Sequence, residues 1–185
     1  MRDCVVTPAE DEIDGLVERA RKHDAKAWEQ LYERAYPRLV AFAARRVDRQ
    51  RATEMVAETM ARAVASIDAF ESRGIGFDPW LFGICRNVIL DHHRQTAREQ
   101  RRIEPAAIPV DEVHDGFERT EEAAAMAAAY ARLSSDDREL LDLRVIGGLT
   151  AEQTALVLGK QPGAVRMAQS RALDKLRHYF KEVYR

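Results

Sequence analysis

The sequence predicts an all-α protein made of two helical domains that are joined by an acidic linker. Glycine and proline number only 9 and 6 among 185 residues, and the helix-favouring residues Ala, Arg, Glu and Leu dominate. Apolar residues recur at helical spacing in both halves, and no alternating β-branched run bounded by turn signals is present. The chain has 185 residues, of which 46% are hydrophobic. This is enough to build the apolar core of one medium domain or of two small ones.

In the first domain, assigned to residues 1–98, three helices follow from apolar periodicity. The first is expected over residues 12–22. Asp24 can cap a second helix, which Pro37 should kink or break, and a third is expected over about residues 52–70. The second helix is predicted to bury Trp28, Leu31, Tyr32, Leu39, Phe42 and Ala43. The third is predicted to bury Val56, Met60, Ala63, Ile67 and Phe70.

A fourth helix follows the interruption at Gly74 and Gly76. Asp78 suits its N-cap and Pro79 its first position, and it should run to about Arg98. One face is apolar, with Leu81, Phe82, Cys85, Val88 and Ile89. The other presents Trp80, Asn87, Asp91, Arg94 and Arg98. Aromatic, amide and guanidinium groups together suit melted or single-stranded DNA. The alternative for the tryptophan is that it packs inward near the helix start.

Residues 99–117 form the predicted linker, because they contain prolines, a glycine and many acids without periodicity. The second domain is therefore assigned to residues 118–185. Four helices are expected in this domain. The first covers residues 118–133, and the second runs from a cap at Ser135 or Asp136 to Val145. The third runs from Thr150 to Gly159, and the fourth from Pro162 towards Tyr184.

Residues 150–177 carry the strongest local signal, which is typical of a helix-turn-helix. Thr150 and Gln153 can form a capping box, and Gly159 can end the short helix. The longer helix should bury Val165, Ala168, Ala172, Leu176 and Tyr179. Its outward face should present Arg166, Met167, Ser170, Arg171, Asp174 and Arg177. Arginine suits guanine edges or phosphates in a major groove, whereas a plain helical hairpin with a solvated basic face is the alternative.

The charge distribution agrees with DNA binding, although the net charge is only −2. Basic residues outnumber acids in residues 86–102 and 160–185, and acids outnumber basic residues in residues 103–125. Two basic segments therefore flank an acidic one, a pattern that fits nucleic-acid contacts at two places. Ordinary solvated helix surface is the alternative explanation.

On the third helix, Glu54 and Glu58 share a face with Arg62, which could form a partner surface or an ordinary solvated face. Cys4 and Cys85 make neither a disulfide framework nor a metal-ligand pair. No segment has the length or apolarity of a signal peptide or membrane span, so a cytoplasmic protein is expected. The sequence shows no phosphate-binding loop or nucleophile elbow, so we expect neither a cofactor nor an enzyme activity.

Several motifs resemble the extracytoplasmic-function (ECF) sigma factors of bacterial RNA polymerase. Residues 27–32 read Ala-Trp-Glu-Gln-Leu-Tyr, and residues 77–87 fit the signature Phe-x-x-Trp-Leu-x-x-Ile-x-x-Asn. In the last third, residues 158–165 read Leu-Gly-x-x-x-Gly-x-Val, and an Arg-Ala pair follows at residues 171–172. The resemblance covers nearly the whole chain except its first ~20 residues and the linker.

This resemblance implies roles for individual residues. Glu54, Glu58 and Arg62 would face the clamp helices of the largest polymerase subunit. The loop that carries Phe70, Ser72 and Arg73 would capture a base flipped from the minus-ten element, and Trp80 and Asp91 of the fourth helix are also expected to bind DNA. Asn87 would read that base, and Arg94 and Arg98 would hold nearby phosphates. Arg166, Met167, Ser170 and Arg171 would lie at the minus-thirty-five groove.

The resemblance implies core RNA polymerase and promoter DNA as partners, and an anti-sigma factor is a common further partner in that family. The sequence departs from the family pattern at Ala57, where glutamine is common, and at Ala164, where threonine is usual. Fewer polar contacts are expected at those two positions.

Two rival functions remain open at this stage. A promoter-specific repressor or activator would use only the C-terminal helix-turn-helix and would bind duplex DNA without polymerase. A metal-dependent hydrolase would be built around Asp91, His92 and His93. Consecutive residues diverge on a helix, however, and His92 falls on the apolar face, which favours a packed histidine.

Overall fold

The computed structural model describes residues 10–71, 76–103 and 120–184, and within these ranges it contains helices and no strands. The predicted all-α architecture is confirmed. The helices are α1 Glu10–Arg21, α2 Ala25–Ala43, α3 Arg49–Ser66, α4 Phe77–Ile103, α5 Glu121–Ala131, α6 Ser135–Leu141, α7 Ala151–Leu158 and α8 Pro162–Val183. A 3₁₀ turn, Ile67–Ala69, follows α3, and a π-helical turn, Asp142–Ile146, follows α6.

Helices α1 to α4 form the N-terminal lobe around one apolar core. Leu31, Leu39 and Phe42 of α2 are fully buried against Leu81 and Phe82 of α4. The rings of Phe42 and Phe82 meet edge to face with centroids 5.4 Å apart, an arrangement that aromatic quadrupoles favour. The predicted core stripes of α3 and α4 are buried as expected.

Helix α2 begins where the sequence predicts and continues further than expected. Asp24 caps it by accepting hydrogen bonds from the backbone N–H groups of Lys26 and Ala27. The helix is continuous across Pro37, so the predicted break does not occur. Core packing on both sides of the proline, through the fully buried Ala35 and Leu39, compensates for the missing backbone hydrogen bond. Tyr32 is 40% exposed rather than buried.

Helix α4 differs from its prediction at both ends. It begins at Phe77, one residue before Asp78, and the carboxylate of Asp78 binds the guanidinium groups of Arg34 and Arg38. At its far end it continues to Ile103, so the predicted linker starts inside the helix. The rest of that linker, like residues 72–75, lies outside the described residues.

Helices α5 to α8 form the C-terminal lobe, and most of their helix caps lie where the sequence predicts them. Thr150 and Gln153 make the predicted capping box, and Gly159 ends α7 with a φ of 64°, a conformation that favours glycine. Helix α6 is capped by Ser134 rather than by Ser135 or Asp136. The buried core of this lobe consists of Leu133, Leu140, Leu141, Ala151, Ala155, Val165 and Ala172.

The two lobes pack against each other in this structure. Leu143 and Leu149 follow α6 in the chain but are buried in the core of the N-terminal lobe. Helix α7 lies against α4, and the π-helical turn lies against α2. Among the described residues, no helix is long and apolar enough to cross a membrane.

Candidate nucleic-acid interface

An aromatic cluster marks the junction of the 3₁₀ turn and α4. The Trp80 ring lies 4.8 Å from the Phe70 ring and 5.4 Å from the Phe77 ring, measured between centroids. Phe70 and Phe77 are buried, whereas Trp80 is half-buried. Trp80 therefore packs on the cluster with one side and keeps part of its indole accessible.

Arg21 of α1 fixes the position of Phe70 in this cluster. Its guanidinium donates hydrogen bonds to the backbone carbonyls of Phe70 and Ile67 and lies 5.9 Å from the centroid of the Phe70 ring. No sequence pattern pointed to a role for Arg21. Its partners lie more than 40 positions away along the chain, and no local pattern indicates such a contact.

A cleft of about 590 Å³ opens beside the cluster. Phe70 and Trp80 form its aromatic wall, and the exposed Asn87 lies on α4 two turns beyond Trp80. Its opposite side is formed by Leu156 and Val157 of α7. The structure thus brings three predicted site residues together, and it adds a wall from the other lobe that the sequence did not predict.

Charged residues continue from this cleft along α4. Asp91 lies between two arginines, with Arg62 Nη1 at 3.3 Å and Arg94 Nη1 at 3.4 Å. Arg62 also donates to Glu58 at 2.8 Å, and its hydrogen bonds with Glu58 and Asp91 raise the pKa of its guanidinium. Arg94 and Arg98 are exposed. Asp91 is therefore placed to orient Arg62 and Arg94.

The predicted partner face on α3 is exposed. Glu54 and Glu58 point away from the core, one turn apart. A shallow groove lined by Trp28, Tyr32, Met60 and Val64, with Lys26 and Glu29 also in its lining, lies between α2 and α3. The acidic face of α3 is therefore accessible to a partner that carries the opposite charge.

In the C-terminal lobe, α8 presents the face that the sequence predicted. Met167 is 63% exposed, and Ser170 and Arg171 are exposed as well. Arg166 is also exposed, but its Nη1 lies 2.6 Å from Glu152 Oε1 on α7. The outward face of α8 is therefore accessible, and Arg166 on that face is held by Glu152 of the preceding helix.

A buried charged group that no sequence pattern indicated lies between the lobes. The Asp142 side chain is 4% exposed and lies 3.0 Å from Arg46 and 3.5 Å from Arg45. Tyr130 donates to it at 2.5 Å. Burial raises the pKa of Asp142, an effect that the two arginines oppose, and burial beside this acid raises the pKa of Tyr130 to about 12.

Asp91 and His92, two of the three residues of the rival metal site, are engaged elsewhere. Asp91 pairs with arginines, and His92 is half-buried with its Nε2 at 3.4 Å from Arg51 Nη1. Within the described ranges, no group of three or more His, Cys, Asp or Glu side chains could hold a metal ion. Cys85 is buried, and burial raises the pKa of its thiol to about 11, which makes it a poor nucleophile or ligand.

Comparisons with known proteins match both lobes. The family described as Sigma-70 region 2 matches residues 31–99, and the family described as Sigma-70, region 4 matches residues 129–178. The chain is 32% identical to the ECF RNA polymerase sigma factor ShbA of Streptomyces griseus, over 89% of this chain and 93% of that protein. It is 31% identical to the ECF RNA polymerase sigma factor BldN of Streptomyces coelicolor, over 87% of this chain, and spans 63% of the length of BldN.

A solved structure is similar as well. The sigma factor RpoE of Bartonella quintana, in complex with the anti-sigma factor NepR, aligns with a TM-score of 0.72 and 27% identity. The alignment covers 85% of this chain and 98% of that one.

Proposed function

This chain belongs to the ECF sigma factors of RNA polymerase, and we propose that it directs core polymerase to promoters and stabilises their melted state. Its sigma factor role follows from the family. The proposal concerns how the described residues perform that role. It assigns residues 1–98 to the polymerase and the minus-ten element, residues 99–117 to a linker, and residues 118–185 to the minus-thirty-five element.

The observation that carries the proposal is the shared cleft of Phe70, Trp80 and Asn87. An unpaired base can stack on the accessible side of the indole while the Asn87 amide bonds its edge. Unstacking a base costs a few kcal/mol, and stacking on an aromatic ring returns about 1–3 kcal/mol. Capture in the cleft would therefore stabilise an open promoter without any bond-making step, so no enzymatic activity is needed.

Residues of α4 and of the loop after Phe70 are proposed to line the path of the melted DNA strand. Arg94 and Arg98 lie beyond the cleft on α4, where phosphates of the same strand would pass. Asp91 would orient Arg94 from the side. Ser72 and Arg73 are proposed to complete the loop that follows Phe70.

For duplex DNA, the proposal rests on the outward face of α8. Arg166, Met167, Ser170 and Arg171 occupy the first three turns of this helix, the part that enters a major groove in helix-turn-helix proteins. Each lobe alone would bind DNA modestly, and polymerase would raise the effective concentration of the second lobe by fixing its distance from the first.

The polymerase contact is proposed for Glu54, Glu58 and Arg62 on α3, because they form an exposed charged face. An anti-sigma factor is a proposed further partner, because the similar Bartonella RpoE was solved with the anti-sigma factor NepR.

Run-off transcription with purified core polymerase, with and without this protein, on a library of promoters tests the proposal. We expect promoter-specific transcripts only when the protein is present. Failure to associate with core polymerase under any condition would refute it. Tight duplex binding without polymerase association would instead favour a repressor or activator that uses only α7 and α8.

A further inference from the structure

Gly83 of α4 lies between the two residues of this helix that are proposed to bind an unpaired base. Trp80 is one turn before it and Asn87 one turn after it, and all three line the cleft. Along the helix axis, about 4.5 Å separate Gly83 from Trp80 and about 6 Å separate it from Asn87. Spacings of three and four residues place these positions on one face. The α4 wall of the cleft therefore has a position without a side chain at its middle.

Backbone conformation does not require glycine at this position. Gly83 lies inside the regular helix Phe77–Ile103, and it lacks the positive φ of Gly76, Gly148 and Gly159. Glycine is less favourable than alanine in a helix interior. The chain therefore carries a residue here that weakens α4 without any conformational need for it.

Packing does not require glycine at this position either. A Cβ atom at Gly83 would meet no heavy atom of the described residues within 4 Å, apart from its chain neighbours and the nearby backbone of α4. At Gly147, by contrast, a Cβ atom would lie 2.6 Å from the carbonyl oxygen of Leu143. Val157 of α7 lines the opposite side of the cleft without reaching this position. The space above Gly83 is therefore open.

This open space lies where a captured base would pass. A base that stacks on the accessible side of the Trp80 indole and bonds the Asn87 amide has to cross the backbone of Gly83. A planar ring can approach a helix backbone closely where no side chain projects from it, and close approach of a ligand is a general use of glycine. A side chain at this position would occupy the same space as the base.

We propose that the missing side chain at Gly83 admits a nucleobase of the melted minus-ten strand, and that this residue determines whether a base fits in the cleft. The inference rests on the proposed function and deepens it, because it names the surface of α4 against which the base lies. It also gives a reason for a glycine that neither the backbone nor the packing of α4 requires.

Two substitutions test this inference in holoenzyme assembled from the full chain and core polymerase. Gly83→Ala adds one methyl group and Gly83→Leu adds a larger apolar side chain, and both new residues favour a helix. The probe is a DNA duplex that continues into the single-stranded minus-ten region of a promoter found by run-off transcription. Fluorescence anisotropy measures its affinity.

Gly15 supplies the matched controls Gly15→Ala and Gly15→Leu. It lies inside α1, away from the residues that line the cleft. A Cβ atom at Gly15 also meets no heavy atom within 4 Å in the described part of the chain, apart from its chain neighbours and its own helix backbone. The two glycines therefore differ in their position relative to the cleft and not in their local freedom.

Stability and DNA binding should change in opposite directions at Gly83. Either alanine variant should raise the folding equilibrium constant roughly two- to fivefold in urea denaturation, because glycine is removed from a helix interior. Gly83→Leu should weaken binding of the probe by at least about fivefold, the low end of the loss expected when a base no longer stacks on an aromatic ring. Gly83→Ala should weaken it less, and the Gly15 variants should leave it unchanged. Association with core polymerase should be the same in all variants.

Probes that each lack one base separate exclusion of a base from damage to the helix. In the wild-type holoenzyme, affinity should fall when the captured base is the missing one, because its stacking contact is lost. On that probe Gly83→Leu should bind as tightly as the wild type, since no base remains for the side chain to exclude. On probes that lack a base elsewhere, the difference between Gly83→Leu and the wild type should persist.

Unchanged affinity of Gly83→Leu for the complete probe would overturn the inference. A loss of equal size on every probe would overturn it as well, because it would show a disturbed helix and not an excluded base. Either result is compatible with a wild-type protein that supports transcription. Failure of the proposed function would instead appear as a wild-type protein that gives no transcript with core polymerase.

Discussion

The Arg34 guanidinium holds the Asp78 carboxylate through two parallel hydrogen bonds of 2.6 Å, one from each terminal nitrogen. Arg38 adds a third bond of 2.6 Å to the same carboxylate. The side chains of Arg34 and Asp78 are only 15% and 14% exposed. This pair ties the start of α4 to α2, and so fixes the position from which Trp80 projects.

Loss of the paired hydrogen bonds between Arg34 and Asp78 should destabilise the N-terminal lobe. We expect Arg34→Ala to lower the free energy of unfolding by about 2–4 kcal/mol, because Asp78 would keep only one partner in a nearly buried site. Arg34→Lys should cost less, since it retains the charge but loses the paired geometry. Urea denaturation followed by circular dichroism measures both changes. A loss below about 0.5 kcal/mol for the alanine variant would contradict the stabilising role.

Local signals predicted much of the fold. The Asp24 cap, the Thr150–Gln153 capping box and the Gly159 helix end each depend on residues within a few positions of one another, and all three are present. Helical periodicity also predicted the outward face of α8. These features could be predicted because their causes lie within one helical turn or one helix face.

Contacts between distant segments could not be predicted in this way. Asp78 was expected to cap a helix, but its partners Arg34 and Arg38 lie 44 and 40 positions away. Asp142 meets arginines of another lobe, and Val157 reaches the cleft only through lobe packing. A buried acid and an exposed acid look alike in sequence, so burial had to come from the structure.

The acidic face of α3 gives a prediction about polymerase binding. Glu54→Lys combined with Glu58→Lys should weaken association with core polymerase by at least tenfold, because two favourable contacts become repulsive. DNA affinity of the protein itself should not fall. Glu12→Lys with Asp136→Lys makes the same net charge change at exposed positions off this face. Equal losses in a pull-down with core polymerase for both double variants would show a nonspecific charge effect.

Because the thiol of Cys85 is buried, the free energy of unfolding should depend on pH in the alkaline range. Its pKa is raised from about 9 to about 11 by burial. The unfolded chain therefore loses this proton first as the pH rises, and the thiol lowers the free energy of unfolding between pH 9 and 11. The loss should approach about 2–3 kcal/mol at about 1.4 kcal/mol per pKa unit.

Cys85→Ala supplies the control for this titration. The variant should have lower stability near neutral pH because it leaves a cavity, but its stability should fall less steeply between pH 9 and 11. Denaturant titrations at intervals of half a pH unit measure the difference in slope. Parallel curves for the two proteins would mean that the folded thiol ionises normally.

Asn87 gives a prediction that separates base reading from polymerase docking. Asn87→Ala should reduce open-complex formation about tenfold, because a hydrogen-bonded base contact is worth about 1–3 kcal/mol. Association with core polymerase should stay unchanged. Gln95→Ala, which alters an exposed amide further along α4, is the matched control. Permanganate footprinting measures opening, and equal losses of opening and polymerase binding would refute the base-reading role.

The ion pair between Glu152 and Arg166 restrains the proposed groove-binding face of α8. Their contact is 2.6 Å, and Glu152 adds a negative charge where phosphates would approach. Glu152→Gln should therefore raise the affinity of the full chain for duplex minus-thirty-five DNA by up to about fivefold, the range expected for releasing an exposed pair. The gain should shrink as salt increases, because phosphate contacts release counterions. Asp174→Asn makes the same charge change and releases Arg177 further along the helix. If both variants gain equally in fluorescence anisotropy, general charge rather than the freed Arg166 accounts for the effect, and the assignment of Arg166 to the groove is wrong.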